Sequence, residues 1–489
     1  MVQPHGQKIL LLKVERPEDE REFASPMGIM YVADAVRKAG FDVEILHETW
    51  TARLRQRLMD KIRIEQSSIL LVGFSTITGP SLGPTIAAAK AIKRAFPSIP
   101  IVWGGVHASL LPEETLRNDF VDIVVVGEGE RTLVELARCI RNGTSLGEVD
   151  GIAFRDKGVH ITKARRFIEN LDMYEPAWDL VSLDKYYRPL GRTGRRALDI
   201  VTSRGCPHGC TFCYNTSFNR RKWRAHSVEF VVSQVRMLRQ RYGVDSIKFQ
   251  DDNFFTHKAR AFAVLEAIEV PWYAEIRADY FCEEDIDRMK ILRCENLFIG
   301  AESGSDRVLG EIAKKGIRTK HVVTAVRLCR DKINLTLSFI IGFPGESRAE
   351  LFQTLDFIAD LRDLCKSNMI MLNTLVLVPG TEIYDRFPEE DKPRATWEWA
   401  SLTRQAARKP WVRRQEIAMF RSILFAHQYL SDSEAIGSRF EKRILALEKF
   451  RWRYKFFFLP IEIRLEELKR RFNVWRPSRD RVRRSTLVE

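Results

Sequence analysis

The sequence predicts an α/β protein in three parts: a doubly wound, Rossmann-like N-terminal domain, a partial (β/α)6 barrel of the TIM type, and a helical C-terminal region. Three observations predict it. Strand-like and helix-like stretches alternate twice along the chain, which implies right-handed crossovers and parallel sheets. Glycines recur just past strand ends. Beyond about residue 395 the alternation stops and a helical pattern rich in Arg and Trp takes over.

The expected boundaries are 1–150 for the first domain, 151–190 for a connector with a short hairpin at 152–161, 191–395 for the barrel and 396–489 for the C-terminal region. In the first domain the strand-like runs are 9–12, 43–46, 69–74, 101–103 and 121–126, with amphipathic stretches such as 29–38 and 85–96 between them. Gly73, Gly79, Gly104, Gly105, Gly127 and Gly129 fall at or just past their ends. In a doubly wound sheet that edge binds ligands. In the barrel the strand-like runs are 198–203, 246–250, 272–276, 297–301, 336–341 and 369–376. Helix-like stretches at 229–242, 257–268, 283–292, 306–315 and 348–361 separate them. Barrel chemistry sits on the loops after the strands.

The loop after the first barrel strand reads Cys206-Pro-His-Gly-Cys210-Thr-Phe-Cys213. Three cysteines so close can hold a metal, or form one disulfide and leave a thiol over. A zinc site normally takes four ligands, and no second C-x-x-C or C-x-x-H pair exists. Thiolates suit iron–sulfur clusters, and three of them leave one iron of a four-iron cube open. The spacing C-x3-C-x2-C, with an aromatic before the third cysteine, resembles the radical SAM superfamily. The resemblance implies a [4Fe–4S] cluster on Cys206, Cys210 and Cys213 that binds S-adenosylmethionine and cleaves it to a 5′-deoxyadenosyl radical. It also implies an external electron donor such as flavodoxin or ferredoxin.

The same resemblance implies S-adenosylmethionine contacts at the other strand ends. Phe212 packs near the adenine. Asp251 or Asp252, after the second strand, binds the ammonium; an Asp pair also caps helices. Arg277 follows the third strand and fits a contact or a surface ion pair. Glu302 and Ser303 end the fourth strand and resemble the ribose and carboxylate contacts. Gly342 opens Gly-Phe-Pro-Gly-Glu, which resembles the adenine-side backbone contacts or is a plain Pro-Gly turn.

At the N-terminal edge, Ser75-Thr76, Gly104-Gly105-Val106-His107 and Gly127-Glu128 resemble the cobalamin-binding domain that precedes many radical SAM enzymes. The Asp-x-His-x-x-Gly signature for a cobalt-ligating histidine is absent. His107 is either the ligand or a polar loop residue. A nucleotide-binding flavodoxin-like domain, or one without a cofactor, are the other readings. No phosphate-loop motif supports the nucleotide.

The net charge is +14, and residues 441–489 hold fifteen Lys/Arg against seven Asp/Glu. The tail mixes aromatics and cations at 450–460 and continues as an amphipathic stretch at 463–472. It reads as a helix packed on the barrel, as a peripheral membrane contact, or, less in keeping with the rest, as a nucleic-acid surface. No run approaches the length of a membrane span and no signal peptide is visible, so the expectation is a cytoplasmic protein, with membrane association through the tail. Cys139, Cys282, Cys294, Cys329 and Cys365 are expected as buried apolar residues.

A radical generator facing a cobalt cofactor implies methylation of an unactivated carbon in a small-molecule or lipid-like substrate. A cobalamin-dependent cyclase, ring-former or rearrangement enzyme shares every motif. A methylthiotransferase needs three more cluster cysteines in the N-terminal domain, which has only Cys139. A corrinoid sensor without turnover would not need the cysteine loop.

Overall fold

Strands buried on both faces need cover on both, and their sequences are continuously apolar. β1 (Lys8–Glu15), with its Ile-Leu-Leu-Leu run, and β3 (Ile69–Ser75) are of this kind. In the computed structural model, which describes residues 7–17, 23–190, 194–365, 369–387, 389, 392–400 and 439–457 with six positions between 419 and 427, they lie at the centre of the first sheet. Around them run α1 (Met27–Lys38), β2 (Asp42–Thr49), α2 (Ala52–Glu65), α3 (Leu82–Ala95), β4 (Ile101–Gly104), α4 (Val106–Leu110), α5 (Pro112–Leu116), β5 (Ile123–Val125) and α6 (Gly129–Asn142). The strand order is β2-β1-β3-β4-β5, all parallel. Leu54, Leu58 and Ile62 of α2 and Ala88, Ala89 and Ile92 of α3 cover one face. Ala33 and Val36 of α1 and Leu133, Leu136 and Ala137 of α6 cover the other.

The hairpin expected in the connector is β6 (Ile152–Arg155) and β7 (Val159–Ile161). It pairs antiparallel with β5 and so extends the first sheet past residue 150.

The second sheet contains β8 (Arg188–Leu190), β9 (Gly194–Ile200), β12 (Ser246–Phe249), β13 (Trp272–Ile276), β14 (Cys294–Glu302), β15 (Asn334–Ile341) and β16 (Met369–Thr374). A separate short ladder joins β10 (Ser203–Arg204) to β11 (Arg224–Ala225). β9 and β12 to β16 form six parallel strands of an open half-barrel, and β8 adds an antiparallel edge. The crossovers are α7 (Val228–Tyr242), α8 (Lys258–Ile268), α9 (Glu283–Ile291), α10 (Thr319–Cys329) and α11 (Arg348–Leu364). Sequence reasoning placed the fourth crossover at 306–315. That stretch is only a π-turn, Val308–Ile312, and α10 carries the crossover. Gly310 interrupts the first stretch and Gly316 follows it directly, while α10 has an uninterrupted apolar stripe through Val322, Val326 and Cys329.

Met27, Met30 and Tyr31 of α1 belong to the barrel's core cluster, so the two domains pack directly on each other. The last helix among the described residues, Arg439–Tyr454, brings Trp452 into that core, beneath the Arg362 guanidinium at 5.9 Å. Phe457 is fully buried beside it, while Phe450, Tyr454 and Phe456 are exposed. The amphipathic stretch 463–472 lies outside the described residues. No described helix is long and apolar enough to cross a membrane. Four of the five scattered cysteines are buried as expected; Cys282 is exposed at the start of α9.

Candidate functional site

The cysteine loop is closed at its base by the β10–β11 ladder, in which Arg204 faces Arg224. Gly205 follows at φ +86°, and a Cβ there would come within 2.0 Å of the Lys222 carbonyl oxygen. Only glycine fits this wrap. The Thr211 N–H donates to the Ala313 carbonyl at 3.0 Å and its hydroxyl to that of Ile312 at 2.8 Å, which pins the loop to the π-turn after β14. The Cys213 N–H donates to the Cys210 carbonyl at 3.2 Å. All three thiols are free. Burial pushes Cys206 up, and Cys213 up to about 12, so a metal would displace protons on binding. Among the described residues no three His, Cys, Asp or Glu side chains converge on a single ion. A cube takes one thiolate per iron, so three spaced cysteines on a glycine-wrapped loop fit a [4Fe–4S] cluster.

The acidic pair after β12 divides its work. Asp251 is 1% exposed and accepts from the Thr202 N–H and hydroxyl and from the Ser203 hydroxyl at 2.6–2.7 Å. Those three donors occupy it, so it anchors the strand leading into the loop and is not placed to take an ammonium. Asp252 accepts from the Gly205 N–H at 3.0 Å and the Tyr214 hydroxyl at 2.7 Å, and it faces the cysteines. Phe212 stacks edge-on against Phe343 at 5.7 Å. Gly342 donates its N–H to Glu346 at 2.6 Å, so that glutamate shapes the turn. Arg277 is 6% exposed rather than on the surface; it grips Asp279 at 3.0 Å and donates to the Lys315 carbonyl at 2.8 Å. Glu302, at φ +60°, pairs with Lys315 at 3.0 Å. The Ser303 hydroxyl meets Thr354 of α11 at 3.1 Å, so its partner lies on the helix behind the strand.

At the N-terminal edge the loops are zipped together. Thr76 donates its N–H and its hydroxyl to the Gly104 carbonyl, both at 2.8 Å, and its own carbonyl takes the His107 N–H at 3.2 Å. A Cβ on Gly105 would meet the Thr76 carbonyl oxygen at 2.5 Å, which makes this the second position where glycine is required. Ser75 sits half-buried at the end of β3. His107 is fully buried with Nδ1 3.1 Å from the Thr78 hydroxyl and its ring edge-on to Trp399. Burial lowers it to about 4. Its Nε2 is buried and has no hydrogen-bond partner among the described residues. Ser109 accepts from the Gly127 N–H at 2.9 Å. A small cleft beside Gly127 is lined by Ser109 and Val126, by Phe167 of the connector and by Phe218 of the barrel.

Sequence reasoning missed the contact between these two edges. Arg204 donates to Glu128 at 2.8 Å and to Glu130 at 2.6 Å, and its guanidinium lies 4.9 Å over the Tyr31 ring. Arg224 also holds Glu128, at 2.8 Å, and the Ile168 N–H donates to the same carboxylate at 2.7 Å. Glu128 is therefore occupied in clamping the domains. Burial pushes its carboxyl up, but Arg204 and Arg224 outweigh this and hold it below the usual range. Beside the clamp, the Tyr31 hydroxyl lies 3.0 Å from His226 Nε2, and His226 Nδ1 lies 2.9 Å from Asp172. The available signal was Arg204's place immediately before Gly205-Cys206. A charge there, at the foot of a buried loop, requires a partner.

Family models match two stretches of the chain: the radical SAM superfamily over residues 200–358 and the B12 binding domain over residues 21–137. The chain is 33% identical to an uncharacterised methyltransferase of Pyrococcus horikoshii, over 69% of this chain and 73% of the relative. It is 28% identical to an anaerobic magnesium-protoporphyrin IX monomethyl ester cyclase of Synechocystis, over 76% and 75%. It is 29% identical to a cytidylyl-2-hydroxyethylphosphonate methyltransferase of Streptomyces wedmorensis, over 72% and 77%. Among solved structures, the radical S-adenosylmethionine methyltransferase TsrM of Kitasatospora setae, with cobalamin and a [4Fe–4S] cluster bound, superposes with a TM-score of 0.63 at 19% identity, covering 79% of this chain and 75% of that one. At that identity the match shows a shared fold.

Proposed function

The chain belongs to the radical SAM superfamily, in the branch that carries a B12-binding domain, and we propose that it methylates an unactivated carbon of a small-molecule or lipid-like biosynthetic intermediate. When bound, the [4Fe–4S] cluster and S-adenosylmethionine supply a 5′-deoxyadenosyl radical, and cobalamin supplies the methyl group. A flavodoxin or ferredoxin would be the external electron donor. The rest is positioning by this chain. Cys206, Cys210 and Cys213 hold the cluster. Asp252, at the loop's inner side, takes the cosubstrate's ammonium. Phe212 and the Gly342 turn border its adenine, and Arg277 and the Glu302–Lys315 pair fix charge around it. Ser75, Gly104, Gly105 and Gly127 border the corrinoid. Effective molarity is the main gain, because a substrate radical must meet the methyl group before it is quenched.

The observation that carries this reading is the Arg204 clamp. It ties the base of the cysteine loop to the Gly127–Glu130 edge of the other domain. An enzyme using both cofactors on one substrate needs that fixed separation.

The test is anaerobic reconstitution with iron, sulfide and corrinoid quantified per chain, followed by product analysis. The expected result is methylated product with both 5′-deoxyadenosine and S-adenosylhomocysteine. Cys206→Ala, Cys210→Ala and Cys213→Ala should each abolish cluster assembly and S-adenosylmethionine cleavage; full activity in any of them refutes the assignment. A cyclase is the second reading, favoured by the likeness to the Synechocystis enzyme. It would yield no S-adenosylhomocysteine.

A further inference from the structure

The parallel register of the half-barrel sorts its side chains into two faces. Leu198, Ile247 and Trp272 are paired across β9, β12 and β13 and point into the helix-covered core. Their neighbours point the other way, into the bore. One level is Asp199, Lys248, Tyr273 and Asn296, aligned strand by strand. The next level up holds Glu275, beside Phe298 and Thr336. Arg277 and the cysteine loop lie above them.

A bore this polar needs its groups satisfied. Some satisfy each other: Gln250 donates to Asp199 at 3.1 Å, and Thr336 to Asn296 at 3.2 Å. Three do not. The Lys248 ammonium, the Tyr273 hydroxyl and the Glu275 carboxyl have no hydrogen bond and no ion pair among the described residues. Each is half-buried on the inner face of the sheet. Their environment is dry enough to matter. Burial pushes Lys248 down and Tyr273 up, and burial with the nearby Asp252 and Asp251 charges pushes Glu275 up to about 7.

We propose that the bore beneath the cysteine loop anchors the substrate, and that Lys248, Tyr273 and Glu275 select a small molecule carrying an anionic group and, farther along, a hydrogen-bond donor. Lys248 and Tyr273 take the anion, and Glu275 takes the donor. Lys248 and Glu275 are one strand and two residues apart, so the two groups of the ligand are separated by about 8 Å. The α-amino and carboxyl groups of S-adenosylmethionine sit on one carbon and cannot span this. The end of the substrate nearest Glu275 then lies under the loop, where the radical is generated. This inference rests on the proposed function for the identity of the occupant.

The test uses reconstituted full-length protein and ligand-observed NMR with 4-(aminomethyl)benzoate, which carries both groups. Its methyl ester lacks the anion and 4-methylbenzoate lacks the donor. The expected result is binding of the first probe and about tenfold or greater weakening when either group is missing. Lys248→Met and Tyr273→Phe should weaken both acids and leave the ester unchanged, and Lys248→Arg should restore binding. Glu275→Gln should weaken the two amines and leave 4-methylbenzoate unchanged. Binding in all variants equal to wild type, or no binding of any probe, overturns the proposal. So does an equal loss of S-adenosylmethionine binding in the variants, since the groups would then serve the cosubstrate. Cleavage of S-adenosylmethionine by the wild type without any probe is scored separately. If it is absent the parent reading fails; if it is present and the probes do not bind, only the bore assignment fails.

Discussion

The N-terminal sheet's C-terminal edge and the barrel's bore both carry polar side chains, and they use them in opposite ways. At the N-terminal edge most of the polar groups named above are consumed internally, with His107 Nε2 the exception. Thr76 is bonded to Gly104 and His107, and Glu128 and Glu130 are committed to Arg204 and Arg224. On the barrel's inner side Lys248, Tyr273 and Glu275 have no partners among the described residues. A rigid, self-satisfied edge suits a large resident cofactor that needs shape. A bore with open polar groups suits a transient ligand that needs recognition. Acidic residues beside glycines therefore do not by themselves mark a ligand contact; what they face decides.

Breaking the clamp should have the largest effect. Arg204→Ala leaves Glu130 without its cation and removes one of two from Glu128. The expected cost is about 3–5 kcal/mol of stability, the range for breaking a buried pair on one side, read by denaturant unfolding. With the cluster loop freed from the corrinoid edge, 5′-deoxyadenosine should accumulate in excess over methylated product. If stability falls while that ratio holds, the clamp is structural only. Next comes Gly205→Ala. The left-handed backbone and the overlap with the Lys222 carbonyl force the loop to move, at about 1–3 kcal/mol, and iron content per chain should fall.

The smallest effect separates the two regions by pH. His226, at the interface, is driven by burial to about 4 in spite of Asp172. Its folded value is below the unfolded one, so the unfolded chain takes the proton first. Stability should be full above about pH 6.5 and fall as pH drops toward 4. Glu275 has the opposite sign. Its folded value of about 7 exceeds the unfolded one, so stability should fall as pH rises from about 4.5 to 7. His226→Gln should flatten the acid limb and Glu275→Gln the neutral one, each measured as unfolding free energy against pH.

Much of the architecture was legible in the chain. Alternating strand and helix signals gave both sheets, because backbone periodicity is local. The three cysteines could be read for the same reason: loop chemistry is concentrated in a few adjacent residues. The hairpin at 152–161 shows the limit. Its two strands were visible, but its pairing with β5 depends on which sheet edge was free. The fourth crossover shows another, since the stretch at 306–315 has helical composition yet is used as a π-turn that pins Thr211.

The sequence by itself determined the two domain types and the three-thiol loop, since both are written in short-range spacing. Only the tertiary structure decided which charges are satisfied. Asp251 and Glu128 looked like ligand contacts and became anchors because Thr202, Ser203, Arg204 and Arg224 reach them across the fold. Lys248, Tyr273 and Glu275 looked like ordinary strand residues and emerged as groups in the bore with no partner among the described residues. A charge's partner depends on distance in space, and residues 76 positions apart in the chain, such as Glu128 and Arg204, meet only after both sheets have formed.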